Sequence, residues 1–161
     1  MKKILLLALL SLVIYSCKDE ERPVQQEEEI IQIVQKLLKF ECLTNCTETL
    51  TIKQNEISFK IENDEKDEYG NNIKEVTFDT TMTINLSEWE KILSYISINE
   101  FMELDSFYGQ DENTFGTEAY YDIEVKTNKR EKVIRFLKSR KIKEIDSIHS
   151  YLVKIHQDVL K

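Results

Sequence analysis

Apart from its carboxylates, this chain carries few side chains able to do chemistry: three cysteines, Cys17, Cys42 and Cys46, and two histidines, His149 and His156. Cys42 and Cys46 stand close together in FECLTNCTE. In an oxidising compartment an even pair of thiols is expected to be bonded rather than free. The enclosed loop is short, so its entropic benefit falls below the roughly 3 kcal/mol expected of a 15-residue loop, and its expected role is to pin one turn. A redox motif would place two residues between the thiols, and a zinc site would need two further ligands. On a helix the two histidines would lie about 10.5 Å apart along the axis, too far for one tetrahedral ion with bonds near 2 Å. Both fall within the apolar arc of the C-terminal run, so packed, hydrogen-bonded structural roles are expected of them. No metal centre and no cofactor are expected.

Nucleophilic catalysis would need a serine or cysteine beside a base, and neither histidine has a recognisable partner in sequence. No GxSxG, HExxH, phosphate-binding loop or dinucleotide fingerprint is present, and three glycines leave little material for one. The 30 acids leave open a carboxylate-based hydrolase, but nothing selects the pair. Two acidic stretches invite comparison with a calcium loop. ENDEKDEYGNN, 62–72, fails it, because Tyr69 and Val76 occupy required acidic places when Gly70 is set as the sixth position. DENTFGTEAYYD, 111–122, puts Asp111, Asn113, Gly116 and Asp122 on key places but Phe115 on another, and its second half reads as strand. A solvated loop is the simpler reading of both. Between Phe101 and Tyr121, aromatics are interleaved with acids in an irregular stretch. Phe107, Tyr108 and Phe115 are the candidate contact residues there, since aromatic loops supply binding area at low entropy cost.

The elements that must position these groups follow from periodicity. Glu27 to Lys39, EEEIIQIVQKLLK, spaces Ile30, Ile33, Val34, Leu37 and Leu38 as on a helix face, with acids at its start, and predicts a first helix. From Glu48 the period becomes two. Leu50 and Ile52, then Ile57, Phe59 and Ile61, flank Gln54-Asn55-Glu56 as a hairpin. Val76, Phe78, Thr80, Met82 and Ile84 continue as a long strand with one apolar face. LSEWEKILSYI predicts a helix with a capping box of Ser87 and Glu90. Residues Asn99 to Glu118 read as irregular. Tyr121, Ile123 and Val125, then Lys132 to Leu137 across a turn at Asn128-Lys129, predict a second hairpin. Ile145, Ile148, Leu152, Ile155 and Val159 predict a final helix. The expected class is α+β: a two-layer domain with an antiparallel sheet of about five strands covered by helices.

Residues Met1 to Ser16, MKKILLLALLSLVIYS, place two lysines before an apolar run with no acid, the layout of a secretory signal peptide. The apolar run is shorter than the roughly 20 residues of a transmembrane helix. Ile14-Tyr15-Ser16 before Cys17 resembles the lipobox of bacterial lipoproteins. That resemblance implies a diacylglyceryl thioether on Cys17, cleavage before it and acylation, palmitate-like, of the new amino terminus. Lys18-Asp19-Glu20-Glu21 resembles the export signal that sends Bacteroidetes-type lipoproteins to the outer face of the outer membrane. It implies cell-surface display, with a periplasm-facing anchor as the alternative. Several acyl chains at about 0.8 kcal/mol per buried methylene would make the anchor effectively permanent. From about Phe40 onward, the close cysteines, hairpin, long strand, LSEWEKI helix, EFMELDSFY and final hairpin and helix resemble small domain-of-unknown-function lipoproteins of the same bacteria. Where that pattern has a tyrosine and a proline after the second cysteine, this chain has Glu48 and Thr47. No activity is implied by the likeness.

The expected organisation is a signal peptide at 1–16, a lipidated cysteine and acidic tether at 17–26, and one domain at 27–161. Without the 16 residues of the signal, 145 remain, with 20 basic side chains against 30 acidic ones and a net charge of −10. That balance argues against nucleic acid, whose phosphates demand a basic surface. The functional expectation is a non-enzymatic head, held to the membrane by lipid, that binds a protein or glycan not identifiable from sequence. The alternatives are an immunity or inhibitor lipoprotein that neutralises a basic toxin or lysozyme-like enzyme, and the carboxylate hydrolase.

Overall fold

Runs of alternating hydrophobicity, too short for separate domains, build one sheet. The computed structural model describes residues 27–39, 46–66, 69–109 and 118–161. Among the described residues the strands are β1 (Ile30–Lys39), β2 (Cys46–Lys53), β3 (Glu56–Lys66), β4 (Asn72–Thr83), β5 (Phe107–Tyr108), β6 (Tyr120–Thr127) and β7 (Glu131–Leu137). They lie in the order β4-β3-β2-β1-β6-β7-β5. All neighbours are antiparallel except the short β5, which runs parallel to β7. The helices are α1 (Leu86–Leu93), α2 (Ile98–Glu103) and α3 (Asp146–Val159). The fold is thus mixed helix and sheet with a mostly antiparallel sheet, as the patterning predicts. The strand count of about five is corrected to seven.

The larger correction is β1. Residues 30–39 form a central strand, not a helix, paired with β2 on one side and β6 on the other. Ile30, Ile31, Ile33 and Val34 are β-branched and fit a pleated surface. In mid-sheet Ile33, Val34 and Gln35 are all buried in succession, so the two-residue alternation of a strand with one wet face is lost. The expected irregular stretch also contains two short elements, α2 and β5.

Register brings the inward side chains into three rows across five strands. Ile57, Ile52, Ile33, Val125 and Lys132 make one row; Phe59, Leu50, Gln35, Ile123 and Ile134 make the next; Ile61, Glu48, Leu37, Tyr121 and Phe136 make the third. Most of these apolar side chains are fully buried in one core cluster with Trp89, Ile92, Phe101, Ile145, Ile148 and Leu152 from the helical regions. Each such side chain contributes about 1.5–3 kcal/mol relative to exposure. Lys132, at the end of its row, reaches out of the core to donate to the carbonyls of Met102, at 2.9 Å, and Leu104, where α2 ends.

Helix α1 starts two residues earlier than the predicted box. Asn85 accepts from the Glu88 amide at 2.9 Å, and the Glu88 carboxylate accepts from the Asn85 amide at 3.0 Å. The reciprocal cap is therefore Asn85 with Glu88, in place of Ser87 with Glu90. It directs Trp89 and Ile92 into the core.

Helix α3 lies across the strands. Its His149 touches β1, β6 and β7, its His156 touches β2 and β3, and Ile155 and Val159 flank Ile57 of β3 and Met82 of β4. Fourteen residues at 1.5 Å span about 21 Å. Five strands at about 4.8 Å spacing span about 19 Å, so this one helix covers the full width of the three rows.

Candidate functional site

Apart from Lys132 at the end of its row, two polar side chains interrupt the apolar rows beneath α3, and each is met by one histidine. Gln35, from β1, is 1% exposed. Its Nε2 lies 3.0 Å from His149 Nδ1. That amide nitrogen can only donate, so Nδ1 accepts and the ring proton sits on Nε2. The ring packs edge-on against Tyr121 and Phe136, with centroids 4.5 Å and 5.1 Å away. Burial pushes the His149 pKa below its usual value and outweighs the opposing pull of Asp146, which keeps the imidazole neutral near pH 7. Gln35 Oε1 is the one buried side-chain oxygen without a partner among the described residues.

Seven residues on, His156 Nε2 donates to Glu48 Oε2 at 2.7 Å. Lys39 Nζ approaches the other carboxylate oxygen. Burial pushes the Glu48 pKa up, but the hydrogen bonds from His156 and Lys39 together outweigh it and hold the carboxyl below the usual carboxylate range. The His156 ring lies on Phe59 at 4.6 Å. Tyr121, between the two histidine sites, has its phenol pKa raised by burial and then by Glu48. Each of these residues makes at least one packing or hydrogen-bond contact, and no serine or cysteine nucleophile accompanies them among the described residues. These contacts fix α3 on the sheet.

Open surfaces lie outside this seam. Strand β4 forms an open edge of the sheet, and among the described residues nothing pairs with its outer side. Ile84 N donates to Asn55 O at 3.2 Å, continuing the β3–β4 register, so Met82, Thr80 and Phe78 exchange bonds with β3. The amides and carbonyls of Asp79, Thr81 and Thr83 then face outward. Ile73, Val76, Phe78 and Met82 of this strand are each about 40% exposed. Inside the edge, Ile57, Met82, Ile92, Tyr151, Ile155 and Val159 line a groove of about 270 Å³. Two further clefts are present. One of about 450 Å³ lies between Glu27 to Ile31 and the helical residues Trp89, Leu93 and Ile98. The other, of about 370 Å³, lies where β7 ends and α3 begins.

The residues singled out in sequence are placed as follows. Phe107 and Tyr108 form β5; the Phe107 ring is 43% exposed and stacks near Tyr120, 6.3 Å away, while the Tyr108 hydroxyl accepts from the Asp105 amide. A Cβ at Gly109 would collide with the Phe107 ring, so glycine there lets the ring fold back over the chain. Phe115, Asp111, Asn113, Cys17 and Cys42 lie outside the described residues. Asp122 cannot serve the calcium pattern as a free ligand: both its oxygens are taken by Arg135, at 2.7 Å each, across β6 and β7. Residues 62–65 belong to β3, and Gly70, with φ +81°, follows them in the β3–β4 connection. Cys46 opens β2 opposite Lys39 of β1. Gln35 and Glu48 went unmarked in sequence, because only the sheet register brings them under the histidines.

No family model matches this sequence, and no curated protein matches it. No helix among the described residues is long and apolar enough to cross a membrane.

Proposed function

We propose that this protein is a lipid-anchored, non-enzymatic binding protein of the outer membrane, displayed at the cell surface, whose head takes up a strand of a partner protein along β4. The observation that carries this reading is the open edge of that strand. Its 12 residues extend for about 40 Å, well beyond the mean strand, with outward backbone groups at Asp79, Thr81 and Thr83 and exposed apolar side chains alongside. Natural edges of this length are normally shortened, covered or blocked by proline, because they template pairing with another chain. Strand addition draws affinity from main-chain bonds and specificity from pockets for alternate side chains, and the adjoining apolar groove offers such a pocket. The anchor rests on the sequence before and at Cys17, and a Cys42–Cys46 disulfide would close the β1–β2 connection beside Lys39.

The test compares full-length protein with its Thr81→Pro variant. Proline at this position removes one outward amide and leaves the β3 ladder intact. Partner recovery from envelope extracts is expected with the parent and lost with the variant, at unchanged thermal stability. Equal recovery by both refutes strand addition. Intact-mass analysis should show a chain that begins at an acylated Cys17, and external protease should reach the head on whole cells.

A second reading, an immunity or inhibitor protein for a basic toxin or lysozyme-like enzyme, is favoured by one feature. On the exposed β3–β4 hairpin, the hydrogen bond with Glu75 and the charge of that neighbour raise the pKa of Glu65. Two carboxylates held this close would be relieved by an incoming cation. Inhibition by this face should weaken as salt rises.

A further inference from the structure

We propose that the cleft between the end of β7 and the start of α3 binds a phosphoryl group. In a chain of net charge −8, four of the 22 basic residues, Lys138, Arg140, Lys141 and Lys143, fall within six positions. Three of them, Lys138, Arg140 and Lys141, line the 370 Å³ cleft, together with Ser139, Ser150 and His149. None of the four cations makes an ion pair among the described residues. Several other cations are paired locally, as Arg130 is with Glu28, Arg135 with Asp122 and Lys60 with Glu62; what distinguishes this cluster is that three unpaired cations line one concavity. Cations left unpaired around a concavity make a site for an anion, not a stabilising network.

The loop that presents them is held in shape. Lys138 N donates to Ala119 O at 2.9 Å, Ser139 N to Glu118 Oε1 at 2.7 Å, and Arg140 N to Leu137 O at 2.9 Å. The Glu118 carboxylate is thereby committed to the loop backbone. Helix α3 starts at the cleft with no side-chain cap on its first amides, so its positive end adds to the field of the three cations. Among the described residues Asp146 is the only acid in the lining, and three cations outweigh it. A phosphoryl group suits this set better than a carboxylate: it carries up to two charges and three acceptor oxygens, enough to engage the Arg140 fork, a lysine and helix amides together. The volume falls within the range of small-ligand sites and leaves room for a body the size of a sugar or glycerol beside the phosphate. The cleft sits near the sheet edge opposite β4, so it does not depend on the strand-addition reading.

Titration of isotope-labelled full-length protein, followed by amide chemical shifts, tests this directly. The probes are inorganic phosphate, glycerol phosphate, and phosphatidylcholine vesicles with and without phosphatidic acid, all at fixed ionic strength. Saturable shifts centred on residues 138–150 are expected, weakened at least tenfold in the double variant Arg140→Gln/Lys141→Gln. Both side chains are exposed, so the fold should survive, and an unchanged melting temperature checks it. Stronger binding of glycerol phosphate than of phosphatidic acid vesicles assigns a soluble phosphorylated ligand; the reverse order assigns a lipid headgroup. Non-saturable shifts with every probe overturn the proposal. So does equal weakening by the distant double variant Lys53→Gln/Lys161→Gln, which would reduce the effect to bulk charge.

Discussion

The Glu48–His156 pair gives the sharpest test of how α3 is held. Replacing His156 with phenylalanine keeps a ring against Phe59 and deletes the 2.7 Å bond to Glu48. The carboxylate, about 10% exposed, is left with Lys39, whose side chain is 37% exposed and therefore screened. A lost hydrogen bond to a buried charged group costs about 1.5–3 kcal/mol, and the residual buried charge pushes His156→Phe to the upper part of that range. Replacing Glu48 with leucine strands the His156 donor at a cost of about 1–3 kcal/mol, partly offset by new apolar burial. The double variant removes both polar groups and completes an apolar row from Ile61 through Leu37 to Phe136, while Lys39 can turn to water. Its stability should lie within about 1 kcal/mol of the parent, since buried ion pairs replaced by apolar residues of similar volume are often neutral. The coupling is then about 2–4 kcal/mol, read by urea unfolding of the four proteins at pH 7. The pH dependence provides a second readout. The folded pKa of Glu48 is depressed, so its contribution is full above the ordinary value of 4.5 and is lost as pH falls through the lower folded value. The penalty of His156→Phe should shrink in that acid window, and the double variant should show no such change. Additive losses in the double variant, with no acid dependence, would refute the account.

Three further outcomes are expected. The folded pKa of His149 is depressed below 6.5, so stability should decline as pH falls from about 6.5 toward that lower value; His149→Phe should remove this slope while costing about 1–3 kcal/mol at pH 7 through the stranded Gln35 amide, as measured by denaturation across pH. Asn85→Ala should cost about 1 kcal/mol through loss of the α1 cap, whereas Ser87→Ala should stay within about 0.5 kcal/mol, so thermal melts of the two separate the observed cap from the predicted one. Leu152→Ala, at a fully buried position of α3, should cost about 2–5 kcal/mol in urea unfolding.

Three strands were legible in the sequence because apolar and polar residues alternate along them: Leu50 and Ile52 in β2, Ile57 and Phe59 in β3, and Tyr121, Ile123 and Val125 in β6. The central strand was not. In β1 residues of both faces are buried at Ile33, Val34 and Gln35, and the spacing of Ile30, Ile33, Val34 and Leu37 mimics a helix face. Strand β5, with two residues, is below what periodicity can register. The α1 cap was misplaced by two residues because Asn85 and Ser87 are both good N-cap types with an acid three residues on. Of the seam, His149 and His156 were visible as members of one apolar arc. Their partners were not, since Gln35 lies 114 positions from His149 and only register aligns them.

A helix that spans all three core rows also sets when this fold can close. Until residues 146–159 arrive, Gln35 and Glu48 have no imidazole to meet and the rows between β3 and β7 have no lid. A chain emerging from its N-terminus therefore cannot settle early into a native-like body, because its closing contacts bridge nearly the full length of the domain and pay their loop entropy last. Such delayed completion keeps the core rows open until α3 docks. It also makes loss of the final two turns far more damaging than their small share of the mass suggests.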